Sequence, residues 1–264
     1  MKKNRLRELL TEGRATFGTR VLTPWPGIIE VIGHSGAFDY IEYLGENSPF
    51  SLETLDNIGR AIELFPNMSA MIKVEEQTRG FIATRAIGAG IPNILFTDCR
   101  SADDVRECIR LVRAETPISG GTHGSNNRRN VGYVMEGGSE AWARAMDDVV
   151  IAFMIEKKGA VENLEEILSI EGYDMVQFGP NDYAISIGKP GQGKTEEVQQ
   201  TQKYVIEQAL KKGKAPRVEL DSIEQAKPYI EMGVRHFCIG IDLRVIYRWC
   251  QSQTEVIKEL RNSI

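Results

Sequence analysis

Eight short apolar runs, spaced along the whole chain with helical patterns between them, leave this sequence very few architectures. They are Gly18–Leu22, Phe38–Tyr43, Met71–Val74, Asn93–Phe96, Val149–Ile155, Met175–Phe178, Pro216–Leu220 and His236–Gly240. Short runs dense in aliphatic and aromatic side chains suit strands covered on both faces, the situation of a parallel sheet. Between them, Ser51–Leu64, Ala102–Arg113, Val161–Ile170, Glu196–Lys211 and Ser222–Met232 read as amphipathic helices. Eight strands alternating with helices predict an α/β fold, a (β/α)8 TIM barrel. Gly13, Gly33, Gly172, Gly213 and Gly233 follow helical patterns and precede strands, so each is expected to end a helix.

No internal repeat, linker or low-complexity tract divides the chain, and a single barrel domain over residues 1–264 is expected. The exception to the alternation is a long polar insertion around 116–148. It contains the run Gly120–Asn130 and then a helix pattern at Ser139–Met146. A connection of that length in a barrel is expected to cover the active-site mouth or an oligomer contact. With 42% hydrophobic residues the chain can bury a large core, and its net charge of −5 argues against a nucleic-acid partner. The basic start, Met1 to Arg7, is read as a helix end. Neither a signal-like apolar segment nor a membrane-length run of roughly 18 apolar residues is present, so a cytoplasmic location with no membrane partner is expected. Cys99, Cys108, Cys238 and Cys250 lack CxxC spacing and are expected as free, reduced thiols.

Catalytic groups in such a barrel project from the C-terminal ends of the strands. The candidates there are Glu46 and Asn47, Lys73 and Glu75, Asp98 and Arg100, Glu156, Asp182, Arg217 and Glu219. Glu156 closes the fifth run and Asp182 lies just past the sixth, after the turn Gly179-Pro-Asn181. Two carboxylates without a nearby His or Cys favour a hard divalent cation, Mg²⁺ or Mn²⁺, with the other positions left to water and substrate oxygens. The turn, with Gly179 and Asn181, is placed to aim backbone N–H groups at a substrate carboxylate. The plainer reading is that Glu156 pairs with Lys157 or Lys158 and that Asp182 caps a turn.

At these residues the chain resembles the HpcH/HpaI aldolase and citrate lyase family. The resemblance rests on Gly45-Glu-Asn-Ser-Pro49, on Ile155-Glu156 followed by Asn163–Leu168, and on Glu171–Asp182 with its Gly-Pro-x-Asp segment. It runs from about Gly18 to about Ile246. It implies a barrel of the phosphoenolpyruvate/pyruvate-binding superfamily with an exchanged last helix and a homo-oligomer, trimer or hexamer. It also implies a divalent metal held at Glu156 and Asp182, and a carbon–carbon lyase acting through a metal-stabilised enolate on a small 2-oxo or hydroxy acid.

Three departures accompany the match. Where the family carries an acid–base dyad, Asp-Gly-Glu-His, this chain has Leu44-Gly-Glu-Asn47. The family's arginine near the third strand's end corresponds to Lys73, and a glutamine two residues before the metal-binding glutamate corresponds to Met154, a candidate substrate contact. A forked guanidinium and a point-charge ammonium hold oxygens differently. Lys73 is therefore expected to orient substrate oxygens, with Glu46 or His123 as acid or base and Asn47 beside them. His123 also reads as an ordinary loop residue, and His34 and His236 as structural. With the dyad gone, a decarboxylase or a non-catalytic acid-binding barrel is the alternative. A weaker rival is nucleotide binding, because Gly188–Thr195 matches the phosphate-loop pattern GxxxxGK[ST].

Overall fold

The computed structural model describes residues 2–264 and closes eight parallel strands into one barrel, each hydrogen-bonded to its sequence neighbours and β8 back to β1. The strands are β1 (Thr16–Val21), β2 (Tyr40–Leu44), β3 (Ser69–Val74), β4 (Asn93–Phe96), β5 (Val150–Ile155), β6 (Met175–Phe178), β7 (Ala215–Leu220) and β8 (His236–Ile241). All eight expected strands are present. Around them lie α1 (Arg5–Thr11), α2 (Gly27–Ser35), α3 (Leu52–Glu63), α4 (Arg79–Ala89), α5 (Ala102–Val112), α6 (Glu140–Asp147), α7 (Lys158–Glu162), α8 (Leu164–Leu168), α9 (Pro180–Ser186), α10 (Glu196–Lys211), α11 (Lys227–Met232) and α12 (Asp242–Ser263). No helix is long and apolar enough to cross a membrane among the described residues.

Two-residue periodicity sorts each strand between two layers. Outward residues such as Ile41, Tyr43, Ile72, Ile94, Phe96, Ile151 and Phe153 pack against the helices in the main core. Inward residues Tyr40, Met71, Leu95, Val150, Ala152, Met154 and Met175 form a second cluster with Leu6 of α1. Helix α1 therefore plugs the N-terminal end of the barrel, and each buried aliphatic side chain there contributes about 1.5–3 kcal/mol. Arg7 fixes the plug with two hydrogen bonds to Asp174, of 2.6 and 2.9 Å. The basic start from Lys2 to Arg7 thus belongs to the barrel floor, Met1 lying outside the described residues.

One expectation fails here and another is narrowed to the oligomer contact. Gly33 lies inside α2, where a Cβ would come within 2.5 Å of the Phe65 ring, and the helix ends instead at Gly36, with φ +66°. Close packing placed that glycine. The insertion does not cover the mouth of this barrel: α5 runs back from the C-terminal end of β4, so the insertion joins the opposite end. Arg113, just after α5, donates to Met146 O, Val149 O and Gly172 O, carbonyls that precede β5 and β6.

Candidate active site

At the C-terminal end of the barrel, β5 carries Glu156 inward beneath the turn that follows β6. Glu156 is 2% exposed; its Oε1 accepts the Asp98 backbone N–H at 3.1 Å, and its Oε2 has no hydrogen-bond partner. Burial lifts this carboxyl from 4.5 to about 7, against the pull of Lys73 and the Asp98 N–H, with Asp182 and Asp98 adding to the rise. An orphaned carboxylate oxygen in a buried position is costly unless a partner from outside the chain satisfies it. Gly179 lies directly against it. Asp182, in the first turn of α9, is half-exposed on the same rim.

Lys157 flanks the pair without touching Glu156. Its ammonium lies 2.7 Å from Asp98 Oδ1 and 3.7 Å from Asp182 Oδ1, while Lys158 pairs with Glu162. The plainer reading of Glu156 as a salt-bridge partner of its neighbouring lysines therefore fails. Asp98 adopts φ +59°, which presents its N–H to Glu156 and its carboxylate to Lys157. The loop bearing it is fixed by a capping box at the start of α5, between Ser101 and Asp104.

A second group stands on β2 and β3. Lys73 Nζ donates to Glu46 Oε1 at 2.5 Å, and Asn47 Nδ2 donates to the same oxygen at 2.7 Å. Burial alone would lower the Lys73 ammonium, but Glu46, Glu156 and Glu42 outweigh it and raise its pKa above the ordinary value. Lys73 thus stays charged between two carboxylates of the mouth.

Beneath these residues the barrel interior is polar. Arg217 is fully buried and donates to Glu42, to Gln177 and, at 2.7 Å, to Tyr40 Oη. Gln177 donates to Glu219 Oε1 at 2.6 Å, and Arg20 pairs with the other oxygen of Glu219 while donating to Gly240 O at 3.0 Å. Arg217 therefore lies deeper than a mouth residue, and Glu219 belongs to this network, held as a carboxylate by Arg20 and Arg217 despite its burial. Arg20, Glu42 and Gln177 were not singled out in the sequence, and Lys157 entered there only as a partner for Glu156, not for Asp98 and Asp182. The available signal was a charged or amide side chain at the inward phase of an apolar run, as Glu42 has within Phe38–Tyr43.

Other expected residues fall elsewhere. His123 bridges to Ala114 and packs edge-on against Trp142 at the N-terminal end of the barrel, so it does not reach the mouth of its own chain. Met154 is buried under the turn, its Cε 3.0 Å from the position of a Cβ on Gly179. Glu75 and Arg100 are surface residues, Arg100 pairing with Glu76. Gly188–Thr195 is not a strand–loop–helix phosphate loop, because α9 rather than a strand precedes it. Gly193 serves instead to let the loop pass Asn181, and Lys189 pairs with Glu197.

A closed parallel barrel with its acidic groups gathered at the C-terminal rim defines a class of barrel enzymes whose chemistry sits on the loops after the strands. The family model described as HpcH/HpaI aldolase/citrate lyase matches residues 45–247, and this chain belongs to that family. A protein named 4-hydroxy-2-oxo-heptane-1,7-dioate aldolase from Shigella boydii is 27% identical over 93% of this chain and 92% of its own. A 5-keto-4-deoxy-D-glucarate aldolase from Klebsiella pneumoniae is 25% identical over 97% of both. The fold matches that of an HpcH/HpaI family protein from Burkholderia cenocepacia, with TM-score 0.85 and 21% identity over 98% of this chain and 100% of the other. It also matches a citrate synthase, with TM-score 0.84 and 22% identity over 98% and 100%.

Proposed function

We propose that this chain is a divalent-metal-dependent carbon–carbon lyase, aldolase-like, acting on a small 2-oxo or hydroxy acid. The observation that carries the reading is the unpartnered, buried Oε2 of Glu156, set against the bare backbone of Gly179 and on the same rim as Asp182. An all-oxygen donor pair fits Mg²⁺ or Mn²⁺. Among the described residues no group of three or more His, Cys, Asp and Glu side chains could hold a metal. The protein would therefore supply Glu156 and Asp182, with other positions left to water and substrate. When bound, such an ion acts as a Lewis acid toward a ketone oxygen.

The remaining roles fall to this chain's own groups. Lys73 directs its ammonium at substrate oxygens, and Glu46, its Oε1 occupied by Lys73 and Asn47, is left with Oε2 to take the proton of the substrate hydroxyl. Gly179 and Asn181 flank the substrate carboxylate, and Met154 closes the floor beneath them. The aldolase names of the relatives support the substrate class. The test is turnover of 4-hydroxy-2-oxo acids with Mn²⁺ and with chelator: metal-dependent release of a 2-oxo acid and an aldehyde is expected. Release of CO₂ from a 3-oxo acid, with no aldol cleavage, would select the decarboxylase reading that Leu44 and Asn47 favour.

The proposed setting is the cytoplasm and the proposed assembly a homo-oligomer, trimer or hexamer, built by exchange of α12. That helix exposes Val245, Ile246, Trp249, Ile257 and Leu260. A largely apolar groove of about 690 Å³ opens beside its root, lined by Phe17, Ile28, Ile32, Phe38, Ile223 and Ile239. Light scattering that returns a monomer would refute the exchange.

A further inference from the structure

Behind the mouth, two thiols and one guanidinium form a cluster that the proposed lyase chemistry does not use. Cys99, in the connection from β4 to α5, and Cys108, within α5, are both buried, with their sulphurs 4.0 Å apart. Arg79, the first residue of α4, donates from Nη1 to Cys99 Sγ at 3.5 Å and to Cys108 Sγ at 3.2 Å. Its Nε is anchored on Glu76 O at 3.1 Å. A cation resting on two thiols stabilises a thiolate, the nucleophilic and oxidisable form of cysteine. The hydrogen bond with Cys99, and Arg79 beside it, hold the Cys108 thiol below its ordinary range despite burial.

The cluster also touches the mouth through the chain. Cys99 follows Asp98, whose N–H holds Glu156 and whose backbone already sits at φ +59°. We propose that Cys99 and Cys108 are a reversible dithiol–disulfide pair, oxidised by a hydroperoxide and restored by a thiol reductant, whose closure moves the loop that carries Asp98.

In the first step the Cys108 thiolate attacks a peroxide oxygen, the O–O bond breaks, and a sulfenic acid forms as the alcohol or water leaves with a proton. In the second, the Cys99 sulphur attacks the Cys108 sulphur and the hydroxyl departs as water with the Cys99 proton. Two thiols and one hydroperoxide give one disulfide, one alcohol or water and one further water, two electrons passing from sulphur to oxygen. A disulfide holds its sulphurs about 2.0 Å apart, so the pair must close by about 2 Å. Cys108 is fixed within a helix capped at Ser101, so the displacement falls on Cys99 and on Asp98 beside it. Arg79 is half-buried, and its side chain is the cover that must swing to admit the oxidant.

The test uses the folded Cys250→Ser protein, which removes the exposed thiol, exposed to an equimolar amount of hydrogen peroxide and then alkylated in denaturant. The expected result is a chain that takes up one alkyl group, on Cys238, where the untreated protein takes up three, with two hydrogens missing, a cross-link mapping to Cys99 and Cys108, full recovery with dithiothreitol, and faster amide exchange across residues 97–101 in the oxidised form. In Cys99→Ser the reaction should stop at a sulfenic acid that dimedone traps on Cys108, and Arg79→Met should slow oxidation by about tenfold or more. Free alkylation of both cysteines after peroxide would overturn the pairing. An oxidation rate unchanged in Arg79→Met would overturn the role given to the guanidinium, and unchanged exchange at 97–101 would overturn the link to the mouth.

Discussion

Gly179 leaves its Cα bare against the carboxylate of Glu156: a Cβ there would lie 2.6 Å from Oε2 and 2.7 Å from the Glu156 Cβ. The end of β5 and the turn after β6 are therefore cut to fit one another. The Gly in Gly-Pro-x-Asp is required by contact with the acid rather than by an unusual backbone angle, since its φ is −104°.

Gly179→Ala should push Glu156 out of place while leaving both carboxylates in the sequence. The expected loss is about 10- to 100-fold in Mn²⁺ affinity, the range seen when the support of a ligand is disturbed, with about 1–3 kcal/mol of overpacking cost in stability. Metal titration and urea unfolding measure the two separately. Parent-like values in both would contradict the fit.

Lys73 and Glu46 meet at 2.5 Å and are assigned different tasks. Glu46→Gln keeps a side chain for Lys73 and Asn47 to contact but removes the proposed proton acceptor, so kcat should fall by about 10²–10⁴ with the fold intact. Lys73→Met should also raise KM, because it removes the charge proposed to orient substrate. Steady-state kinetics separate these outcomes, and an unchanged kcat in Glu46→Gln would move the base elsewhere.

Glu156 gives the metal-free protein a defined pH response. Its folded pKa of about 7 lies above the ordinary 4.5, so between these values the folded chain keeps a proton that the unfolded chain has lost. Stability from this group is present below about pH 4.5 and declines as pH rises through about 7, by roughly 3 kcal/mol in all. Urea unfolding at pH 5 and pH 8, with the parent compared against Glu156→Gln, isolates that slope. Parallel curves for the two proteins would contradict it.

Arg217 and Glu42, both fully buried, form the centre of the barrel's polar interior. Arg217→Met strands the Glu42 carboxylate and should cost about 3–5 kcal/mol, whereas the double change Glu42→Leu with Arg217→Met should recover much of that loss. Chemical unfolding of the three proteins checks this. Additive losses would mean that the two charges do not depend on one another.

The strands were legible because a parallel barrel covers both faces of each strand, leaving near-continuous apolar runs. The ends that were missed start with small or polar residues, Thr16 in β1 and Ser69-Ala70 in β3, which carry little hydrophobic signal. Helix α4 escaped notice for a related reason. It packs through Gly80, Ala83, Ala86 and Gly88 and shows little amphipathic contrast. The carboxylates at the mouth could be placed because chain order puts them just beyond apolar runs. The Arg20–Glu219–Gln177–Arg217–Glu42 chain could not, because its members come from β1, β2, β6 and β7 and meet only once the barrel closes. His123 was misplaced for a topological reason: a polar run in a long connection looks alike at either end of a barrel.

Glu156 and Asp182 are proposed to hold one divalent cation between them. The most direct test is Mn²⁺ binding to the parent, to Glu156→Gln and to Asp182→Asn, followed by the paramagnetic signal of free manganese. One site per chain is expected in the parent, with affinity weakened at least tenfold in each variant, since each removes one of two charged ligands. Equal binding by all three proteins, or no saturable site in the parent, would contradict the claim.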